Sequence, residues 1–137
     1  MVEFGIGNAR KVDPLLTALG SSVFAALDIS LSALKEALSG LAARHPNTAM
    51  VGICCDHTRL QQLPPHPALE GQRRIGFFPG SSLGNFTPEE AVDFLCNARQ
   101  LLALSLIHIS EPTRRRGISY AVFCLKKKIF QLSFHKL

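Results

Sequence analysis

The stretch Met1-Val2-Glu3-Phe4-Gly5-Ile6-Gly7-Asn8 decides the fold. A short apolar start, too brief for a helix, runs directly into two glycines one residue apart. Behind them Val12, Leu15, Leu16 and Leu19 recur at helical spacing, and Gly20 stands where a helix stop belongs. Strand, glycine turn, helix is the opening of a βαβ unit. Glycine lets the backbone turn tightly there and come close to a ligand.

Working outward, the same alternation continues. Val23 to Ile29 is a short apolar run and reads as a buried strand. Leu31, Leu34, Leu38 and Leu41 follow at three- and four-residue steps behind serines that can cap, and Pro46-Asn47 ends that helix. Ala49 to Cys54 and Ile75 to Phe78 are two further apolar runs, separated by a loop through Leu63-Pro64-Pro65-His66-Pro67. Thr87-Pro88-Glu89-Glu90 has the residues of a helix start: a threonine cap, proline at the first helical position, and a glutamate that reaches back. Ala91, Phe94, Leu95, Ala98 and Leu102 make one apolar face behind it. The expected class is α/β, a parallel sheet of four strands with flanking helices, its strands covered on both sides. That is part of a Rossmann-like fold, left incomplete over residues 1–103.

Composition agrees with a packed core: 47% of the 137 residues are hydrophobic. No run approaches the roughly 18 apolar residues of a membrane span, and the start lacks the basic region of a secretory signal. Cys54, Cys55, Cys96 and Cys124 show no C-x-x-C spacing. Neither a disulfide framework nor a metal site is expected, and a reducing, cytoplasmic setting is. Cys54 and Cys55 read as small buried strand residues. The net charge of +5 is uneven: residues 1–103 hold 8 basic and 9 acidic side chains, residues 104–137 hold 7 and 1. The front portion therefore has no basic footprint for nucleic acid.

Four places carry candidate chemistry. In Glu3-Phe4-Gly5-Ile6-Gly7 a dinucleotide fingerprint would want a third small residue five positions after Gly5, and Arg10 stands there. That residue serves packing around a pyrophosphate, so its loss favours a phosphate-free nucleoside cofactor. Asp28, 23 residues after Gly5 at the end of the second strand, can accept both hydroxyls of a ribose; an ordinary helix-start charge explains it as well. Asp56 and His57 end the third strand, where an aspartate can accept from an adenine amino group and an imidazole can lie against the ring; a plain polar loop is the alternative. Asn85, in Phe77-Phe78-Pro79-Gly80-Ser81-Ser82-Leu83-Gly84-Asn85-Phe86-Thr87-Pro88, offers an amide toward a substrate amine or carboxylate, or simply tolerates a left-handed turn.

Taken together, Val-Glu-Phe-Gly-Ile-Gly, Lys11, Leu-Asp28-Ile-Ser, Cys-Asp56-His and the Gly-Ser-Ser-Leu-Gly-Asn-Phe block resemble the histidine-specific methyltransferases that use S-adenosylmethionine (SAM). These include the histidine Nα-methyltransferases of ergothioneine biosynthesis. The resemblance implies that Gly5, Gly7 and Lys11 contact SAM, that Asp28 holds its ribose and that Asp56 and His57 flank its adenine. It implies that Asn85 holds the α-amino group of a small-molecule substrate, histidine. It implies no metal, and it assigns no catalytic residue. The family usually has phenylalanine where this chain has His57. A fragment of this kind is expected to have no activity of its own.

From Leu104 the chain reads Leu-Ser-Leu-Ile-His-Ile-Ser-Glu-Pro-Thr-Arg, then Arg115-Arg116-Gly117, then Ile-Ser-Tyr-Ala-Val-Phe-Cys-Leu and three lysines. This resembles a transposase-type sequencing adapter translated in frame, with the three residues in place of a sample index. Residues 104–137 are expected to be a non-native, poorly ordered tail. Two other readings compete with the main one: a SAM methyltransferase with a different acceptor, and a non-enzymatic binding module using the basic tail.

Overall fold

The computed structural model describes residues 1–7, 9–78 and 86–102. Three sequence expectations lie outside the described residues: Asn85, most of the Gly/Ser-rich turn before it, and the 104–137 tail.

Four strands form one parallel sheet: β1 (Val2–Phe4), β2 (Val23–Asp28), β3 (Ala49–Cys54) and β4 (Gly76–Phe77). Their order across the sheet is β3-β2-β1-β4. The helices are α1 (Val12–Leu19), α2 (Leu31–Arg44) and α3 (Pro88–Leu101). α1 and α2 connect β1 to β2 and β2 to β3, α3 follows β4, and the strand order reverses direction between β1 and β4. This is the α/β, Rossmann-like arrangement expected from the sequence.

The two faces of the sheet hold separate apolar layers, because successive strand residues point to opposite sides. Val2, Phe4, Ala25, Leu27, Val51 and Ile53 face α3, which brings Phe94, Leu95, Ala98 and Leu101. Phe24, Ala26 and Phe77 face the other side, where α1 supplies Val12 and Leu16 and α2 supplies Leu34 and Leu41. Fully burying each such side chain is worth about 1.5–3 kcal/mol, so both layers are needed to hold so small a sheet.

The local signals are realised in detail. Gly20 ends α1 in the left-handed region at φ 56°. Ser30 caps α2 by accepting from Ala33 N. Thr87 and Glu90 form a reciprocal capping box on α3. Asp13 of α1 pairs with Arg44 and His45 at the far end of α2, fastening the two helices together. Asn97 of α3 donates to Leu60 O at 2.8 Å, pinning the long β3–β4 connection under that helix.

Two expectations need correction. β3 is not covered on both sides throughout: Val51 and Ile53 are buried, whereas Ala49, Gly52 and Cys54 are exposed. It is one of the two edge strands, paired only with β2. Nor are the cysteines buried. Cys54, the last residue of β3, is exposed, and Cys55, just past the strand, is half-buried.

Candidate functional site

The carboxyl ends of β1 and β2 lie side by side, and the turns that leave them make the candidate site. Gly5 has φ +79° and Gly7 φ +46°. These are left-handed values that a side chain would strain. Gly5 N donates to Leu27 O at 2.8 Å, so the turn begins as a continuation of the sheet. A Cβ on Gly7 would meet no atom within 4 Å, leaving the outer rim of the turn bare backbone.

Asp28 closes β2 beside this turn. One carboxylate oxygen accepts from Ile6 N at 3.1 Å and the other from Ser30 N at 2.8 Å. Asp28 thus braces the start of α2, as a helix-start charge does, and also anchors the glycine turn. A carboxylate accepts about four hydrogen bonds, so acceptor capacity remains on both oxygens for the two hydroxyls of a ribose. Next to it Ile29 is 75% exposed, an apolar surface at the rim with no core role.

Asp56 and His57 sit together after β3 but differ in surroundings. Asp56 is exposed and occupied locally, accepting from Thr58 N at 3.0 Å and Thr58 Oγ1 at 2.6 Å, with Arg59 Nε 3.4 Å away. The bonds from Thr58 hold its carboxyl below the usual carboxylate range. His57 turns inward instead. Its ring lies 6.2 Å from Phe4, 6.1 Å from Phe78 and 5.8 Å from Phe94, centroid to centroid. Nδ1 is buried with no hydrogen-bond partner among the described residues. A Cβ on Gly5 would lie 3.7 Å from Nε2, so the imidazole edge abuts the glycine turn. Burial lowers the His57 pKa, with Asp56 and Asp28 opposing, which keeps the ring neutral at pH 7.

Lys11 is exposed and immediately precedes α1, without capping it through its side chain. The structure therefore gathers Gly5, Gly7, Asp28 and His57 around one edge, with Lys11 and Asp56 on flanking loops. The residues described do not include Asn85.

Sequence reasoning overlooked two residues here. Glu3 is completely buried in β1, and neither carboxyl oxygen has a partner among the described residues. Burial first, then the charge of Asp28, raises its pKa from 4.5 to about 8. An acid inside a three-residue apolar strand was the available signal. Ile29 is the other: the sequence reading ended the buried strand on it, whereas β2 ends at Asp28 and Ile29 is exposed beyond it.

Residues 1–110 match the family model described as histidine-specific methyltransferase, SAM-dependent. A histidine N-alpha-methyltransferase from Mycolicibacterium smegmatis is 29% identical over 99 residues, 69% of this chain. The chain spans about 30% of the length of that relative. The crystal structure of the glycopeptide N-methyltransferase MtfA, complexed with (S)-adenosyl-L-homocysteine, superposes with TM-score 0.48 and 17% identity, over 98% of this chain and 52% of that one. That likeness is too weak to argue from. The family match covers most of the chain and includes every site residue above: the chain belongs to the histidine-specific, SAM-dependent methyltransferases.

Proposed function

We propose that residues 1–103 are the cofactor-binding part of an enzyme that methylates the α-amino nitrogen of histidine, as in ergothioneine biosynthesis. The observation that carries the cofactor reading is the Asp28 carboxylate, fixed by Ile6 and Ser30 at the rim of the glycine turn. The residues present fit SAM. Bare backbone at Gly7 admits a ligand closely, and Asp28 suits a ribose. Ile29 gives an adenine an apolar face. Arg10 stands where a pyrophosphate-binding turn needs a small residue.

When bound, SAM supplies an electrophilic methyl group on its sulfonium. The chain's own residues orient it: Gly5 and Gly7 with Lys11 around the methionine portion, Asp28 on the ribose, Asp56 and His57 near the adenine. His57 meets the turn with its ring edge while its faces lie among phenylalanines, so it serves as a wall of the site. Asn85 is assigned the substrate α-amino group. Transfer itself needs donor and acceptor in line and an unprotonated amine; no described residue is given the role of taking that proton. Turnover by this chain alone is not expected, and a cytoplasmic setting suits the reading.

Calorimetric titration of the chain with SAM, alongside a methyl-transfer assay on free histidine, tests this. Saturable SAM binding without product supports it. Failure to bind SAM refutes the cofactor assignment, and methylation of histidine by the chain alone refutes the inactivity.

Residues 104–137 we assign to translated adapter sequence, on the in-frame match either side of Arg115-Arg116-Gly117. Sequencing the genomic locus decides it: an exon encoding Ser-Glu-Pro-Thr-Arg at this point rules the assignment out.

A further inference from the structure

His57 follows β3, and its ring turns in toward Phe4 of β1, Phe94 of α3 and Phe78 just past β4. The Phe78 ring is the most nearly parallel of the three, at an interplanar angle of 27°. The faces of the imidazole are thus turned to the protein's own rings, and its edge is what remains for a ligand. The two ring nitrogens on that edge differ. Nδ1 is sealed, with no partner among the described residues. Nε2 lies at the glycine turn, 3.7 Å from where a Cβ on Gly5 would stand. Gly5 has none, and Gly7 beyond it leaves bare backbone, so a ligand lying on the turn meets Nε2.

A neutral imidazole carries one N–H donor and one bare acceptor nitrogen. The donor belongs on Nε2. A hydrogen on Nδ1 would be an orphaned buried N–H, which folded proteins avoid more strictly than an unmet lone pair. The N–H end of the ring dipole is also best placed toward negative charge, and Asp28 holds the same glycine turn through Ile6 N at 3.1 Å. Among the described residues, the charged groups whose fields reach the ring are Asp56 and Asp28. Both are negative, so they repel a ligand carboxylate at this point and leave a neutral acceptor as the partner for Nε2–H. A nucleoside has such acceptors in its ribose oxygens and adenine ring nitrogens.

We propose that His57 holds the cofactor by a hydrogen bond from Nε2–H to an acceptor of its nucleoside portion, with Nδ1 left bare. His57 then reads the nucleoside by one directed bond and does not stack on it. This rests on SAM being the ligand of the site.

Nitrogen NMR of the chain labelled at its histidine rings reads the tautomer. The His57 signals, identified by their loss in His57→Phe, are expected to show hydrogen on Nε2 and none on Nδ1. The Nε2–H proton is expected to move downfield on adding SAM. By calorimetry at pH 7, His57→Phe is expected to bind SAM roughly tenfold more weakly, the loss of one hydrogen bond. Adenosine, which lacks the methionine portion, is expected to lose the same factor. Hydrogen on Nδ1, an Nε2–H signal unmoved by SAM, or equal SAM affinity in His57→Phe overturns the inference and leaves the cofactor assignment standing. A loss seen with SAM and absent with adenosine overturns the assignment to the nucleoside. No saturable binding of SAM to the wild type overturns both the inference and the cofactor assignment.

Discussion

Asp28 and Ile6 are joined by a 3.1 Å hydrogen bond from the Ile6 backbone N–H to the Asp28 carboxylate. The bond crosses between two strands' turns, linking the glycine loop to the residue assigned to the ribose. Position of the loop and presentation of the carboxylate are thereby one structural fact.

That coupling makes Asp28→Asn more damaging than its size suggests. An amide has one acceptor oxygen, whereas Ile6 and Ser30 both present N–H donors. One donor must then face the amide NH2 group. The expected cost is about 1–3 kcal/mol in urea unfolding, together with at least a tenfold loss of SAM affinity by calorimetry. Wild-type SAM affinity in Asp28→Asn would remove Asp28 from the ribose subsite.

Glu3 sets the alkaline side of the stability curve. Its pKa is raised on folding from 4.5 to about 8, so the folded state holds a proton that the unfolded state loses. The stabilisation is full below pH 4.5 and falls as pH rises through about 8, at up to roughly 1.4 kcal/mol per pH unit. Urea midpoints between pH 6.5 and 8 should decline for the wild type and flatten for Glu3→Gln. A flat wild-type profile over that range contradicts the protonated buried carboxyl.

Much of this was legible in the sequence where a local rule decides. The bounds of α1 follow from leucine spacing and Gly20, those of β3 from an apolar run between turn residues, and the start of α3 from Thr87-Pro88-Glu89-Glu90. What was not legible depends on neighbours distant in the chain. The exposure of Cys54 follows from β3 being an edge, which strand order alone decides. The inward turn of His57 follows from Phe78 and Phe94, more than twenty residues on. Glu3 read as one letter of a motif because its burial depends on β2 and β4 closing on both sides of it.

Ile29 separates binding from folding. It is 75% exposed and belongs to neither apolar layer, so Ile29→Ser should shift stability by less than about 0.5 kcal/mol. Exposed apolar surface covered by a cofactor ring is worth about 25 cal/mol per Å², and SAM affinity should fall roughly five- to tenfold. Thermal denaturation and calorimetry on the same variant read the two effects. Equal affinity would place the adenine elsewhere along the edge.

His57→Phe tests the inward imidazole. The orphaned Nδ1 costs about 1–3 kcal/mol as a buried polar atom, and Phe4, Phe78 and Phe94 already provide an aromatic environment. A phenyl ring is slightly larger, but the site is only half-buried and can yield outward, so the polar gain should exceed the crowding. Stability at pH 7 is expected to rise by about 1 kcal/mol. The pH dependence gives a second readout. Burial lowers the His57 pKa from 6.5 in the folded state, so the unfolded chain binds the extra proton first. The His57 contribution is therefore lost as pH falls below 6.5 toward the lowered value, opposing the Glu3 slope there, and the difference between wild type and His57→Phe should show it. A variant less stable than wild type at pH 7, with the acid slope unchanged, would mean that Nδ1 is satisfied in solution and that the imidazole faces the site rather than the phenylalanines.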